Sequence, residues 1–559
     1  MNDHVLNRNL LALSARNPVL GARLTTVEPD PRLALHFARN GSLVPVVSTG
    51  GRDVALHSLI DPDREAERLV AAQPPDGFLV ALGLGGAYAL RRYLRSEATT
   101  GILLIEYSAG LFRALLEAVD LSEFLVDPRL TLLLDPEPED IEAALLGAYV
   151  PPLSGDLRSL PLKSRTDLDP EPFATALDTV RSVLGRISDD YSVQAFFGKL
   201  WFRNAVRNLF VAERPSPPIR PARRAVITAA GPSLEEGLPA LLAERAAGAI
   251  VIATDTSLPA LLGRGIRPDA VVSIDCQTIS YYHFIKGLPE GIPLVLDLAS
   301  PNRLARLSGS VRFFSSGHPL CAFVSSRWRP FPALDTSGGN VTHAALSLAE
   351  ALGAETALLV GADFSYPEGK SYARGTYIYD YFDKDVRRLS PLESLFSGFV
   401  FRTPTLLREE DRDAEGRDYV RYITKPLVAY RVHLERFAAS SSISLRAFRG
   451  KGVEIHIEDK ARSARRSRPL FAAGSAKESA GAFLSRYARE LRALSPPTEP
   501  ATAYLSTLEP GERDLWTTLL PSASAFQRSA GRDRLPSAEL LAKTRTWALL
   551  EIEEALDMG

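Results

Sequence analysis

Ala225–Leu234 reads AVITAAGPSL: a short apolar run that passes directly into Gly231-Pro232-Ser233-Leu234. The same grammar returns along the middle third of the chain. Ala249–Ala253 is followed by Asp255, Asp269–Ile274 by Asp275-Cys276-Gln277, and Thr356–Val360 by Gly361-Ala362-Asp363-Phe364. Thr336-Ser337-Gly338-Gly339-Asn340 opens the helical run Val341–Leu352. Brief apolar strands spaced by helix-length stretches describe a parallel sheet. Polar groups released just past each strand gather at its carboxyl edge, where open α/β folds hold nucleotides. The expected fold class is α/β: a Rossmann-like central domain with a mainly parallel sheet, a second Rossmann-like domain before it, and a helical C-terminal region after it.

Each polar cluster has a chemical reading. Gly231 permits close backbone approach, Pro232 stiffens the turn, and Ser233 with Glu236 has capping-box spacing. Free amides at such a helix start make an anion site. Thr336, Ser337, Gly338 and Asn340 form a second candidate cradle of the same kind. Asp255 suits a ribose hydroxyl or base amine, or alternatively caps the helix near Ser257. Asp275 and Gln277 suit a sugar or base edge, and Asp363 is delivered to the same edge. Tyr366, Tyr372, Tyr377, Tyr379 and Tyr381 crowd one loop. Phenols can stack on a sugar or base and donate to phosphate while staying protonated at neutral pH; some of the five are expected simply to pack.

Outward from this centre, the chain is expected to divide as follows: a β-rich segment at 1–70, a Rossmann-like accessory domain at 71–160, a helical connector and linker at 161–224, the central Rossmann-like domain at 225–404, a mixed extension at 405–475, and a helical domain at 476–559. Gly83-Leu84-Gly85-Gly86 follows the strand Phe78–Leu82, and Glu106 ends the next strand. That order fits an NAD or S-adenosylmethionine turn, except that Tyr88 stands where the third glycine belongs. The connector helix spans Pro170–Val211, and Glu213–Arg224, with four prolines and four arginines, reads as linker. Val453–Ile457 reads as a strand and Ala461–Arg468 as an exposed basic loop.

A chain of 559 residues with net charge −2 has no bulk electrostatic reason to hold nucleic acid. Its two cysteines, Cys276 and Cys321, exclude a disulfide framework and suit reducing cytoplasm. No apolar run approaches the length of a membrane span, so no membrane insertion is expected. His283, His318 and His343 are isolated and lack metal-ligand spacing; His343 falls in a helical run, where packing is the ordinary role.

Two resemblances rest on these residues. The order Ala229-Ala-Gly-Pro-Ser-Leu234, Thr336-Ser-Gly338, Ala351-Leu-Gly353, Gly361-Ala-Asp-Phe364 and Ser371-Tyr-Ala373 resembles the bacterial sialyltransferases that use CMP-sialic acid. The resemblance implies that the G-P-S and T-S-G elements bind the nucleotide sugar and that Tyr366 and Tyr372 contact the leaving phosphate. That family places its general-base histidine downstream of the tyrosines. Here Tyr372–Tyr430 contains no histidine; Asp380, Asp383, Asp385 and Glu393 are the substitutes in reach, and the base is left unassigned. Over most of its length, including His57-Ser58, Asp61-Pro62, Gly83-Leu-Gly85 and Glu106, the chain also resembles the motility-associated flagellin glycosyltransferases, the Maf proteins. That resemblance implies transfer of a nonulosonic acid from a CMP-activated donor to Ser or Thr of flagellin, with no cofactor required. The central domain is similar to archaeal hydroxymethylpterin pyrophosphokinases, which keeps a second reading open: an ATP-dependent enzyme with Mg²⁺ held by Asp255, Asp275 and Asp363. A third reading is a non-catalytic adaptor that binds flagellin or a biosynthetic enzyme through its terminal domains.

Overall fold

The computed structural model describes residues 3–214, 216–413, 415–457, 470–471, 476–531 and 533–559. The basic run Ala461–Arg468 lies outside the described residues. The chain forms two compact units, one of residues 1–198 with 491–548, the other of 199–490 with 549–559. Both are α/β, Rossmann-like, and the C-terminal region is helical.

The second unit is organised by seven parallel strands: β1 (Arg224–Thr228), β2 (Ile250–Thr254), β3 (Ala270–Ser273), β4 (Leu294–Asp297), β5 (Val311–Phe314), β6 (Thr356–Val360) and β7 (Ser444–Ala447). Their order across the sheet is β5-β4-β3-β2-β1-β6-β7. Chain progression therefore reverses between β1 and β6, which opens a crevice at their carboxyl ends. The strands are rich in Val, Ile, Leu and Ala because helices cover both faces. Ile227, Ile252, Val272, Val295 and Leu359 pack with Ala344, Leu348 and Leu352 in one core. The sheet extends beyond the expected boundary at 404, because β7 pairs in parallel with β6. The expected strand Val453–Ile457 is not a strand; its first amide donates instead to the Asp363 carbonyl, at 2.8 Å.

The helix Pro170–Ala212 matches the expected connector. Asn204 and Asn208, one turn apart, are buried on one face of it within the second unit. Asn204 donates to the carbonyls of Cys276 and Ala299, and Asn208 to those of Leu298 and Ser300. These amides satisfy loop carbonyls beyond β3 and β4 that have no ladder partner.

In the first unit a four-stranded parallel sheet has the order Leu130–Leu134, Thr99–Glu106, Gly77–Leu82, Leu157–Pro161. Residues 1–70 are not β-rich throughout. Two helices, Asp3–Arg16 and Pro18–Thr26, precede the antiparallel strands Leu33–Phe37, Leu43–Thr49 and Arg52–Ala55. Leu6, Leu10 and Leu13 recur at helical spacing, and the buried Asn9 side chain satisfies Leu116, Val119 and Leu121 backbone groups. Residues 476–559 likewise do not form a domain of their own. Within the first unit the Thr502 hydroxyl donates to the Thr100 carbonyl, and glycine at 198 lets the Pro521 backbone approach where a Cβ would clash. Within the second, Glu551 takes Arg203.

The Gly83–Gly86 turn is occupied by its own protein. Glu106 accepts the Leu84 and Tyr107 amides at 2.8 Å each and pairs with Arg165 at 2.9 Å. His57 Nε2 accepts the Gly86 amide, and its Nδ1–H donates to Glu65. Asp61 caps the following helix through the Arg64 amide. A cavity of about 10 Å³ lies beside the turn, between Gly85, Glu106 and Arg165. Glu106, His57 and Asp61 thus brace the turn and the helix that leads to it. Arg165→Met leaves the Glu106 carboxylate buried without a cation, and we expect a loss of roughly 3–5 kcal/mol in chemical denaturation. A loss below about 1 kcal/mol would contradict this assignment.

Candidate functional site

A cavity of about 420 Å³ opens at the carboxyl edge where β1, β2 and β6 end. Of the residues expected at the site, Gly231, Asp255, Asp275, Asn340, Asp363, Tyr366 and Tyr372 line it. Pro232, Ser233, Gln277, Thr336, Ser337 and Gly338 do not.

The G-P-S turn fails as an open anion cradle because a carboxylate already fills it. Asp363 Oδ2 accepts the Ser233 amide at 2.9 Å. The Gly231 amide is spent on the Gly361 carbonyl, and the Leu234 and Glu235 amides on the turn itself. Ser233 therefore makes no capping box with Glu236; Asp363 supplies the cap. Ser233 is buried beneath Gly450, where an added Cβ would lie 2.4 Å from its own. Gly231 is required, since a Cβ there would meet Asp363 Oδ2 at 2.2 Å. Burial raises the Asp363 carboxyl to about 6, against the lowering pull of its bonds to Ser233. The next residue, Phe364, lines the cavity with φ of 45°, a strained value for a side-chain-bearing residue.

Asp255 is also largely committed. Its Oδ1 accepts the Thr256 amide and hydroxyl, and its Oδ2 the Ser273 hydroxyl at 2.6 Å. It braces the ends of β2 and β3 beneath the cavity. Gln277 is exposed, and its backbone amide closes a turn onto Asp275. Burial raises the Asp275 carboxyl, with the charge of His283 as a lowering influence. In the T-S-G-G-N element, Asp335 accepts the Ser337 amide and pairs with His343 Nε2 at 3.1 Å. Gly338 abuts the His343 ring, so the element's front half is structural and His343 is a packed histidine. Its last residue, Asn340, caps the helix Val341–Ala351 through the His343 amide. The first-turn amides of Val341 and Thr342, which have no intrahelical partner, border the cavity.

The tyrosines divide. Tyr366, Tyr372 and Tyr377 line the cavity; Tyr379 packs on Phe396 and Tyr381 on Phe382. Burial raises the Tyr372 hydroxyl first, then its neighbours Tyr377 and Tyr366, so it stays a hydrogen-bond donor at neutral pH. Burial likewise raises Tyr366 and Tyr377.

Two site residues escaped sequence reasoning. Tyr430 enters from the helix Lys425–Ser440, outside the expected domain. His283 enters from a one-sided turn of 3₁₀ helix, Thr278–Phe284, upstream of the tyrosines. Its ring meets Tyr377 edge-on at 4.5 Å, and its Nδ1 is buried with no hydrogen-bond partner among the described residues. Asp380, Asp383, Asp385 and Glu393 do not line the cavity, and Asp380 is paired with Lys286 at 2.8 Å. Among the described residues no group of three His, Cys, Asp or Glu could hold a metal ion. No helix of the described residues is long and apolar enough to cross a membrane.

This geometry can now be set beside known proteins. A family model described as 6-hydroxymethylpterin diphosphokinase MptE-like matches residues 203–369. An uncharacterised protein of Treponema pallidum (strain Nichols) is 40% identical over 127 residues, 22% of this chain and 45% of that protein. A second from the same organism is 32% identical over 166 residues, 29% of this chain and 79% of that protein. The chain belongs to the family of this second protein. Among solved structures it is similar to the Maf glycosyltransferase of Magnetospirillum magneticum AMB-1, with a TM-score of 0.55 and 16% identity, over 100% of this chain and 95% of that one. The fold is the Maf fold.

Within the Maf fold described here, the buried Asp363 has a measurable signature. A carboxyl held above its unfolded value of 3.8 contributes stability below that pH, and the contribution is lost as pH rises through about 6. Asp363→Asn keeps an acceptor for Ser233 without the charge. We expect the variant to gain on the native protein between pH 4 and 7, by on the order of 3 kcal/mol, in paired urea titrations. A pH-independent gap would refute the raised carboxyl.

Proposed function

We propose that the chain is a glycosyltransferase that moves a nonulosonic acid from a CMP-activated donor to a Ser or Thr hydroxyl of flagellin. The observation that carries this reading is the cavity at the β1/β6 crevice, walled by phenols that remain protonated and entered by one imidazole. The Maf fold and the order of the sequence motifs support it.

In this reading the amides of Val341 and Thr342 face donor phosphate or sugar carboxylate, and Asp275 takes sugar or base hydroxyls. His283 accepts the acceptor hydroxyl's proton as that oxygen attacks the anomeric carbon, with inversion. The bond from that carbon to the CMP phosphate breaks, and Tyr366 and Tyr372 donate to the phosphate oxygens as charge develops. Ser233, Asp255 and Asp363 hold the crevice's shape and leave substrate contact to the phenols.

Tyr372→Phe should retain its fold and lose on the order of 100-fold in kcat, the usual cost of removing one preorganised donor. His283→Asn should lose about as much. Transfer is read as a mass shift on flagellin. Full activity in Tyr372→Phe would refute the assigned role of that tyrosine.

The family-model match favours a second reading, an ATP-dependent pyrophosphokinase. Calorimetry with CTP and CMP against ATP, each with and without Mg²⁺, separates the two. Mg²⁺-dependent preference for ATP would refute the transferase.

A further inference from the structure

A second cavity, of about 280 Å³, lies in the same unit at the outer edge of the central sheet, behind β5. Two arginines face it, Arg312 from β5 and Arg329 from the loop after the helix Pro319–Arg327. Arg312 is 4% exposed. Its Nη1 reaches only the carbonyl of the preceding residue, Val311, and its Nε has no partner. Arg329 donates to the Ala212 carbonyl at the end of the long helix and lies over Phe331. Neither makes an ion pair with a described carboxylate. Burial pushes both guanidinium groups down.

Buried guanidinium groups are ordinarily paired, since an uncompensated charge in a low-dielectric site is costly. Here the Arg312 fork, whose Nε is buried, finds one neutral acceptor among the described residues. Phe313, Phe331, Leu470 and Phe471 give the cavity apolar walls, and Ser216, whose hydroxyl donates to the Val311 carbonyl, also lines it. We propose that this cavity is a binding site for a small organic anion, a phosphate monoester or carboxylate carrying an apolar or aromatic body. Arg312 would clamp the anionic head in the bidentate geometry guanidinium favours. Arg329 would supply the second charge, and Phe331 and Phe471 the surface for the body. The site shares no lining residue with the tyrosine cavity, so it stands or falls apart from the transferase reading.

Titration of the full chain with phenyl phosphate, benzoate and inorganic phosphate, followed by calorimetry, tests this. We expect saturable binding of at least one aryl anion, tighter than inorganic phosphate. Arg312→Met should weaken it about ten- to a hundredfold, the span of a lost charged hydrogen bond, while Tyr372→Phe leaves it unchanged. Arg329→Gln is the parallel variant should Arg312→Met not fold, and it too should weaken binding. The better of phenyl phosphate and benzoate identifies the head group. No saturable binding by the native chain, equal affinity in the arginine variants, or a loss in Tyr372→Phe would each overturn the proposal.

Discussion

One buried carboxylate organises the centre of this protein. Asp363 leaves the end of β6, crosses to the neighbouring strand and takes the Ser233 amide. The approach is possible only because Gly231 and Gly361 bring the ends of β1 and β6 into backbone contact, the Gly231 amide donating to Gly361 at 2.8 Å. A third glycine, Gly452, closes over Asp363 where a Cβ would lie 2.5 Å from its Cα. The two strands flank the reversal in chain order, where the sheet opens a crevice. The same clasp that spaces the strands thus sets the depth of the cavity. Burial holds the carboxyl near 6, against the lowering pull of its bonds to Ser233.

A division of labour follows. The polar residues nearest the strand ends are consumed in bracing: Asp363 on Ser233, Asp255 on Thr256 and Ser273, Asp335 on Ser337 and His343. The side chains that reach into the open volume come from later and looser elements. They are Tyr366 and Tyr372 from the loop after β6, Tyr377 from the helix behind it, His283 from a 3₁₀ turn and Tyr430 from a helix beyond the expected domain. A rigid acidic floor under adaptable aromatic walls suits a site that must exclude water yet donate hydrogen bonds. The first unit repeats the floor without the walls: Glu106 braces Leu84 and Tyr107 and pairs with Arg165.

Much of the architecture was legible because it rests on period and punctuation. Continuous Val/Ile/Ala runs ending in glycine or aspartate located β1, β2, β3 and β6 within a residue or two, and the 43-residue helix was visible from its spacing. The opening helices were harder to see, although Leu6, Leu10 and Leu13 carried the signal. The short strands β4 and β5, four residues each, are too brief to stand out from a buried helix segment. β7 is a four-residue polar-apolar mixture that becomes a strand only because β6 offers it an unpaired edge.

The chain's order of residues by itself determined an α/β protein with two glycine-marked crossover units and a tyrosine-rich loop past the last central strand. Those features are local, written in side-chain shape and backbone freedom. Which polar groups face solvent and which are spent on neighbours was decided only in three dimensions. A carboxylate such as Asp363 binds a ligand or an amide according to what lies within 3 Å of it, and here that is Ser233, 130 residues away in sequence. The same holds for His283, brought beside Tyr377 by the sheet rather than by the chain.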